Sequence, residues 1–175
     1  RGRFDLMRRN SLTVVILSIL VWVFAVAMDG YSQPRITKEP FGKTKDGKKV
    51  EIYTLTNGRG SEAKIITYGG AVVSLKVPDK QGRFGDVVLG FDTIGDYEKH
   101  TAFFGALIGR YGNRIARGKV TLDSREYSPA TNNGVNHLHG GVRGFDKVVW
   151  KANPSADSNS APLKLCYTSV DGEEG

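Results

Sequence analysis

The chain has 175 residues, 39% of them hydrophobic and 25% charged, which suits an ordinary globular domain and excludes wholesale disorder. Its net charge of +7 is unevenly placed: residues 1–33 carry four Lys and Arg against two Asp and Glu, 34–50 six against two, and 51–175 fifteen against fourteen. A body so close to neutral lacks the basic face that a nucleic-acid binder needs, so no nucleic-acid partner is expected.

Residues 12–28, LTVVILSILVWVFAVAM, form an uncharged run of 17 residues preceded by Met7, Arg8 and Arg9. Positive residues, an apolar stretch and then the small-x-small Ala25-Val26-Ala27 follow the order of a secretory signal peptide, with a second possible cleavage point near Gly30 to Ser32. The same run lies at the short limit for a spanning helix, so an uncleaved membrane anchor is the alternative. Residues 1–33 are therefore read as a leader to the secretory pathway and the cell exterior, and as the one part of the chain that could meet a membrane. Met7 is the expected start, since the chain opens on Arg1. A single cysteine, Cys166, leaves the domain without a disulfide and reads as a buried, inert thiol.

From Gln33 to Lys49 the chain is polar, with no strand pattern. Val50, Ile52 and Thr54 then alternate with Glu51, Tyr53 and Leu55 until Asn57-Gly58 closes the run as a turn. Ala63–Tyr68 and Ala71–Val77 are two further strand-like runs divided by Gly69-Gly70, and Pro78 to Gly82 is a polar turn. Asp86 to Gly90 reads as a short strand. Residues 92–104 have some helical character, kept short by Gly95 and Gly105. Arg117 to Tyr127 alternates around Asp123-Ser124, residues 153–162 form a loop, and Leu163–Val170 resumes a strand. Strands at this spacing predict an all-β fold, an antiparallel β-sandwich spanning residues 34–175. Its last turn, Asp171 to Gly175, has no strand after it, so the sandwich is expected to be incomplete, the N-terminal part of a larger one.

Chemistry concentrates in two clusters. Residues 132–141, NNGVNHLHGG, hold two of the three histidines in a glycine-rich loop, which reads as a ligand loop. His137-x-His139 has the spacing of a strand-borne metal pair, but Gly140, Gly141, Val142, Arg143 and Gly144 bring no third ligand, and no metal is expected. Residues 109–118, GRYGNRIARG, place three arginines and an asparagine between glycines. They suit either a surface turn or an edge that binds hydroxyls and oxyanions. No nucleophile elbow, phosphate loop or dinucleotide fingerprint occurs. Asp123, Glu126 and Asp146 could serve a glycosidase only if two carboxylates faced each other.

Together these segments resemble the aldose 1-epimerase (galactose mutarotase) family. The resemblance rests on ITYGGAVVSLKVPDKQG (66–82), DVVLGFDTIGDY (86–97), FGALIGRYGNRIARGKVTLDSREY (104–127) and NNGVNHLHGGVRGFDKVVW (132–150), and covers the chain from about Phe41 onward. Gly112 stands where the family usually has alanine, and Ser124 where it commonly has a turn glycine. The resemblance implies a large β-sandwich of the galactose mutarotase-like type that uses no cofactor and takes a free hexose such as glucose or galactose in an open cleft. It implies interconversion of α and β anomers: a base takes the anomeric hydroxyl proton, an acid protonates the ring oxygen, and the ring opens and recloses. By the same resemblance Asn113 and Arg114 contact the sugar and His139 lies near the ring oxygen. His137 receives no catalytic role. The general acid histidine, a further sugar-binding aspartate and the general base glutamate are expected beyond Gly175, so the 175 residues alone are expected to be inactive. A non-catalytic sugar-binding protein on the same fold is a second reading. A hexose-6-phosphate epimerase relative is a third, although NHLHGG argues against it.

Overall fold

A computed structural model describes residues 32–100, 102–155 and 160–175. The leader assigned to residues 1–33, with its apolar run 12–28, falls outside these but for its last two residues. So do four residues of the 153–162 loop.

The alternating run that starts at Val50 becomes β2 (Lys49–Thr56), an inner strand of an antiparallel meander. With β1 (Arg35–Lys43), β3 (Glu62–Ile66), β4 (Val72–Pro78) and β5 (Phe84–Asp86) it forms one sheet in the order β1-β2-β3-β4-β5. Period-two alternation puts Val50 and Ile52 on one face, where Ile52 stands opposite Ile66. On that face Val50 (1% exposed) and Ile66 (0%) join Tyr68, Ala71 and Ile94 in the core, flanked by Phe41, Val73 and Tyr97. Burying side chains of this size contributes about 1.5–3 kcal/mol each. Ile94, which joins that core, opens helix α1 (Ile94–Lys99), six residues long. The helix starts where Thr93 Oγ1 accepts the Asp96 N–H at 3.2 Å, and it ends at His100 in an extended conformation.

Tyr53 lies on the opposite face, 2% exposed, and its hydroxyl donates to Glu51 at 2.8 Å. Burial first, and the acceptor Glu51 second, push its phenol up to about 12. Glu51 in turn is held below the usual carboxylate range, first by Lys38 and then by the Tyr53 hydroxyl.

Three elements depart from the sequence reading. The polar stretch after Gln33 contains β1, whose side chains are mostly exposed. Backbone pairing to β2, rather than an apolar face, makes it a strand, so it has no alternation to read. The strand expected at 86–90 instead ends at Asp86. That carboxylate accepts the Leu75 N–H (3.0 Å) and the Val88 N–H (3.2 Å), which turns the chain away from the ladder. Val87 and Leu89 are left exposed. The run from Leu163 pairs only as far as Cys166; beyond it the chain curls around Glu173, which accepts from the Tyr167 and Ser169 hydroxyls.

After α1 the chain builds short pairs: β6 (Arg114–Ile115) with β9 (His137–Leu138), β7 (Val120–Leu122) with β8 (Arg125–Tyr127), and β10 (Lys151–Pro154) with β11 (Leu163–Cys166). Val148–Trp150 joins this region to the main sheet: Gly69 N–H donates to Val148 O (2.8 Å) and Trp150 N–H to Thr67 O (2.8 Å). Of the two departures from the family pattern, Gly112 has room for alanine, since a Cβ there would meet only Ile108 Cγ2 at 3.9 Å. Ser124 sits at φ 62, where a non-glycine residue costs on the order of 1–2 kcal/mol.

Candidate functional site

The β6–β9 ladder brings the two polar clusters together, with Arg114 opposite Leu138 and Ile115 opposite His137. One residue outside each strand, Asn113 (φ 61) and His139 (φ 52) both adopt the left-handed conformation. They lock each other there. His139 N–H donates to Asn113 O at 2.9 Å, and Asn113 N–H donates to the His139 ring at Nδ1, also at 2.9 Å. A backbone N–H can only donate, so Nδ1 is the accepting nitrogen and the neutral ring carries its proton on Nε2. The bond therefore orients the imidazole and makes Nε2–H its outward donor.

Arg114 is held from behind. Its Nε donates to Asn133 Oδ1 at 3.0 Å and Nη1 to Asn113 Oδ1 at 3.3 Å, while the residue as a whole stays exposed. A guanidinium fixed on one edge presents the rest of its planar fork at little further entropic cost. Phe103 packs edge-to-face on the His139 ring with centroids 4.8 Å apart, and Lys147 Nζ lies 5.1 Å from the Phe103 centroid. Asp146, 2.5 Å from that ammonium, tethers it.

Asn132 and Gly140 set the loop. The Asn132 carboxamide accepts from Leu138 N–H (2.7 Å) and donates to Leu138 O (2.9 Å) and Gly141 O (2.8 Å), bracketing His139 on both sides. A Cβ on Gly140 would fall 1.7 Å from Gly109 O, so only glycine lets the two clusters approach this closely.

Asn113, Arg114 and His139, the three residues singled out in the sequence, thus share one edge. His137 does not join them. It is 3% exposed and its Nδ1 donates to Ala130 O at 2.8 Å, the opposite tautomer to His139. The strand alternation that would aim both rings one way stops at Leu138, because His139 turns left-handed. Asp123 and Glu126 lie on the β7–β8 hairpin, where Glu126 pairs with Lys119 at 2.9 Å. A cavity of about 410 Å³ lies beside this site rather than at it. His137, Val120, Leu122, Tyr127 and Phe145 are among its walls, and Asn113, Arg114 and His139 are not. Glu173 also lines it, held below the usual carboxylate range by the Ser169 and then the Tyr167 hydroxyl.

Two contributors were not legible in the sequence. Phe103 lay in a stretch read only for helical character, and Glu174 in the closing turn. Neither carries a local signal, because each reaches His139 or its loop through the fold.

An antiparallel β fold that lines up an imidazole N–H, a guanidinium fork and carboxamides on one open edge suits a hydroxyl-rich ligand. The family model for aldose 1-epimerase matches residues 51–175, and the chain belongs to that family. The galactose mutarotase of Sus scrofa is 45% identical over 141 residues, 80% of this chain and 40% of the relative. The aldose 1-epimerase of Escherichia coli is 34% identical over 130 residues, 74% of this chain and 37% of the relative. A solved galactose 1-epimerase from Lactobacillus acidophilus superposes with a TM-score of 0.69 at 27% identity, over 82% of this chain and 41% of that one. The chain therefore spans about 40% of the length of the curated relatives it matches.

Proposed function

We propose that the whole protein is an aldose 1-epimerase that interconverts the α and β anomers of a free hexose such as glucose or galactose. The observation that carries this reading is the Asn113–His139 pair, which commits His139 Nε2–H to donation beside the Arg114 fork. Placed against a pyranose, that N–H donates to the ring oxygen and Arg114 to the hydroxyls, polarising the C1–O5 bond. A base beyond Gly175 takes the anomeric hydroxyl proton and an acid protonates O5; C1–O5 breaks to the aldehyde, C1 rotates, and reclosure on the other face returns both protons. The relatives named galactose mutarotase and aldose 1-epimerase support the assignment.

Polarimetry of α-galactose or α-glucose, corrected for the spontaneous rate, tests it in the full-length protein. His139→Ala is expected to lower turnover about 10²–10⁴-fold, the usual worth of a group assisting proton transfer. His137→Ala, in whatever fraction folds, is expected to lose far less. Equal losses would sink the assignment of His139.

We also propose that Met7 to about Ala27 is a signal peptide removed on secretion, on the order of charge, apolar run and small-residue site in residues 7–27. N-terminal sequencing from a secreting host should find a mature chain starting after Ala27. Membrane-bound protein still beginning at Met7 would instead identify an anchor.

A further inference from the structure

Residues His139, Gly140 and Gly141 have φ of 52, 92 and 93, three left-handed residues in succession. No ladder holds such a path: Gly141 N–H closes it on Leu138 O at 3.0 Å, and further bonds brace its two ends. The upstream end is held by Asn113 and Asn132. At the downstream end Val142 N–H donates to Glu174 Oε2 at 2.8 Å and Arg143 N–H to Glu174 Oε1 at 2.7 Å. Successive backbone N–H groups converging after left-handed residues form a concavity that suits an anion, and here the anion is the chain's own carboxylate.

Glu174 is itself anchored. Its backbone oxygen accepts the Ala130 N–H at 3.2 Å, and Ala130 O receives the His137 ring at 2.8 Å. The fit leaves no slack: a Cβ on Gly141 would lie 2.2 Å from Glu174 Oε2 and 3.2 Å from His137 Cε1. The loop is therefore gripped between segment 128–132 and the 172–175 turn.

We infer that Glu174 is a positioning residue for His139: its carboxylate, seated on the Val142 and Arg143 N–H groups, holds the left-handed turn that aims the imidazole. The inference rests on the epimerase reading above for its effect on turnover, but not for its effect on the ring. Glu174 acts through His139 and touches no substrate.

The test uses the full-length protein and a cycle of Glu174→Ala, Glu174→Gln, His139→Ala and the double variants, read by polarimetry and by ¹³C/¹⁵N NMR of labelled histidine. Glu174→Ala is expected to lower kcat roughly 10- to 100-fold with KM changed less, as a displaced catalytic contact does. In the His139→Ala background it should cost less than about twofold more, because a positioning residue has nothing left to position. Glu174→Gln keeps the side-chain size and one accepting oxygen, so it should retain more activity than Glu174→Ala, and it carries the cycle should Glu174→Ala fail to fold. The His139 signals should move from a pure Nε2–H tautomer towards an averaged ring. Equal losses in both backgrounds with unchanged His139 signals would overturn the inference. Should His139→Ala leave turnover intact, the epimerase role of His139 falls. Loss of the Nε2–H signature in the Glu174 variants would then still uphold the positioning.

Discussion

The sheet over residues 35–86 and the loops over 109–145 are held by different forces. In the sheet, ladders run in register for as many as six residue pairs, and Val50 and Ile66 lie fully buried in the core that Ile94 of α1 joins. In the loops the longest ladder is three pairs. There the shape comes from side chains bonded to backbone: Asn113 and His139 to each other, Asn132 to Leu138 and Gly141, and Glu174 to Val142 and Arg143. Ladders and apolar burial make a stiff platform but leave no polar group to spare. Loops fixed by carboxamides and carboxylates can hold an imidazole and a guanidinium outward, at the cost of left-handed residues that each oppose folding.

The sharpest way to break this contrast is Ile66→Ala. Ile66 is 0% exposed, so its truncation should destabilise the fold by about 2–5 kcal/mol through lost transfer energy and the cavity left behind. Denaturant unfolding of the full-length protein measures it. A shift under about 1 kcal/mol would show that the sheet is not the platform described here.

Asn132→Ala should do the reverse. Three hydrogen bonds disappear, but Asn132 is exposed and water can replace much of them, so global stability should fall by only about 1 kcal/mol. Turnover should fall at least tenfold, because a loosened His139 is held less often in its working geometry. A large loss of stability with activity per folded molecule unchanged would mean that the loop is part of the core and not a separately held device.

Read along the chain, the sheet was legible where burial imposed a period and opaque where it did not. The alternation at Val50–Leu55 predicted β2, because alternate residues there meet the core and the other face of the sheet. Nothing in RITKEPFGK announced β1, since an edge strand with exposed side chains is selected by its partner's backbone. Asp86 shows the converse: VVLG carries high strand propensity, yet one carboxylate that captures the Leu75 and Val88 N–H groups removes it from the sheet.

For the site, the family resemblance carried by the ordered motifs singled out Asn113, Arg114 and His139, whereas residue types alone left 109–118 open between a surface turn and a binding edge. The sequence alone could not say that Asn113 would choose the tautomer of His139, or that His137 would turn inward to Ala130. Nor could it say that Glu174 would close the loop from 31 and 32 residues away. Local pattern determines which groups are available and which backbone shapes are cheap. Tautomer, aim and bracing are pairwise properties of residues far apart in the chain, and they exist only once the β6–β9 ladder and the 172–175 turn have set those residues within bonding distance.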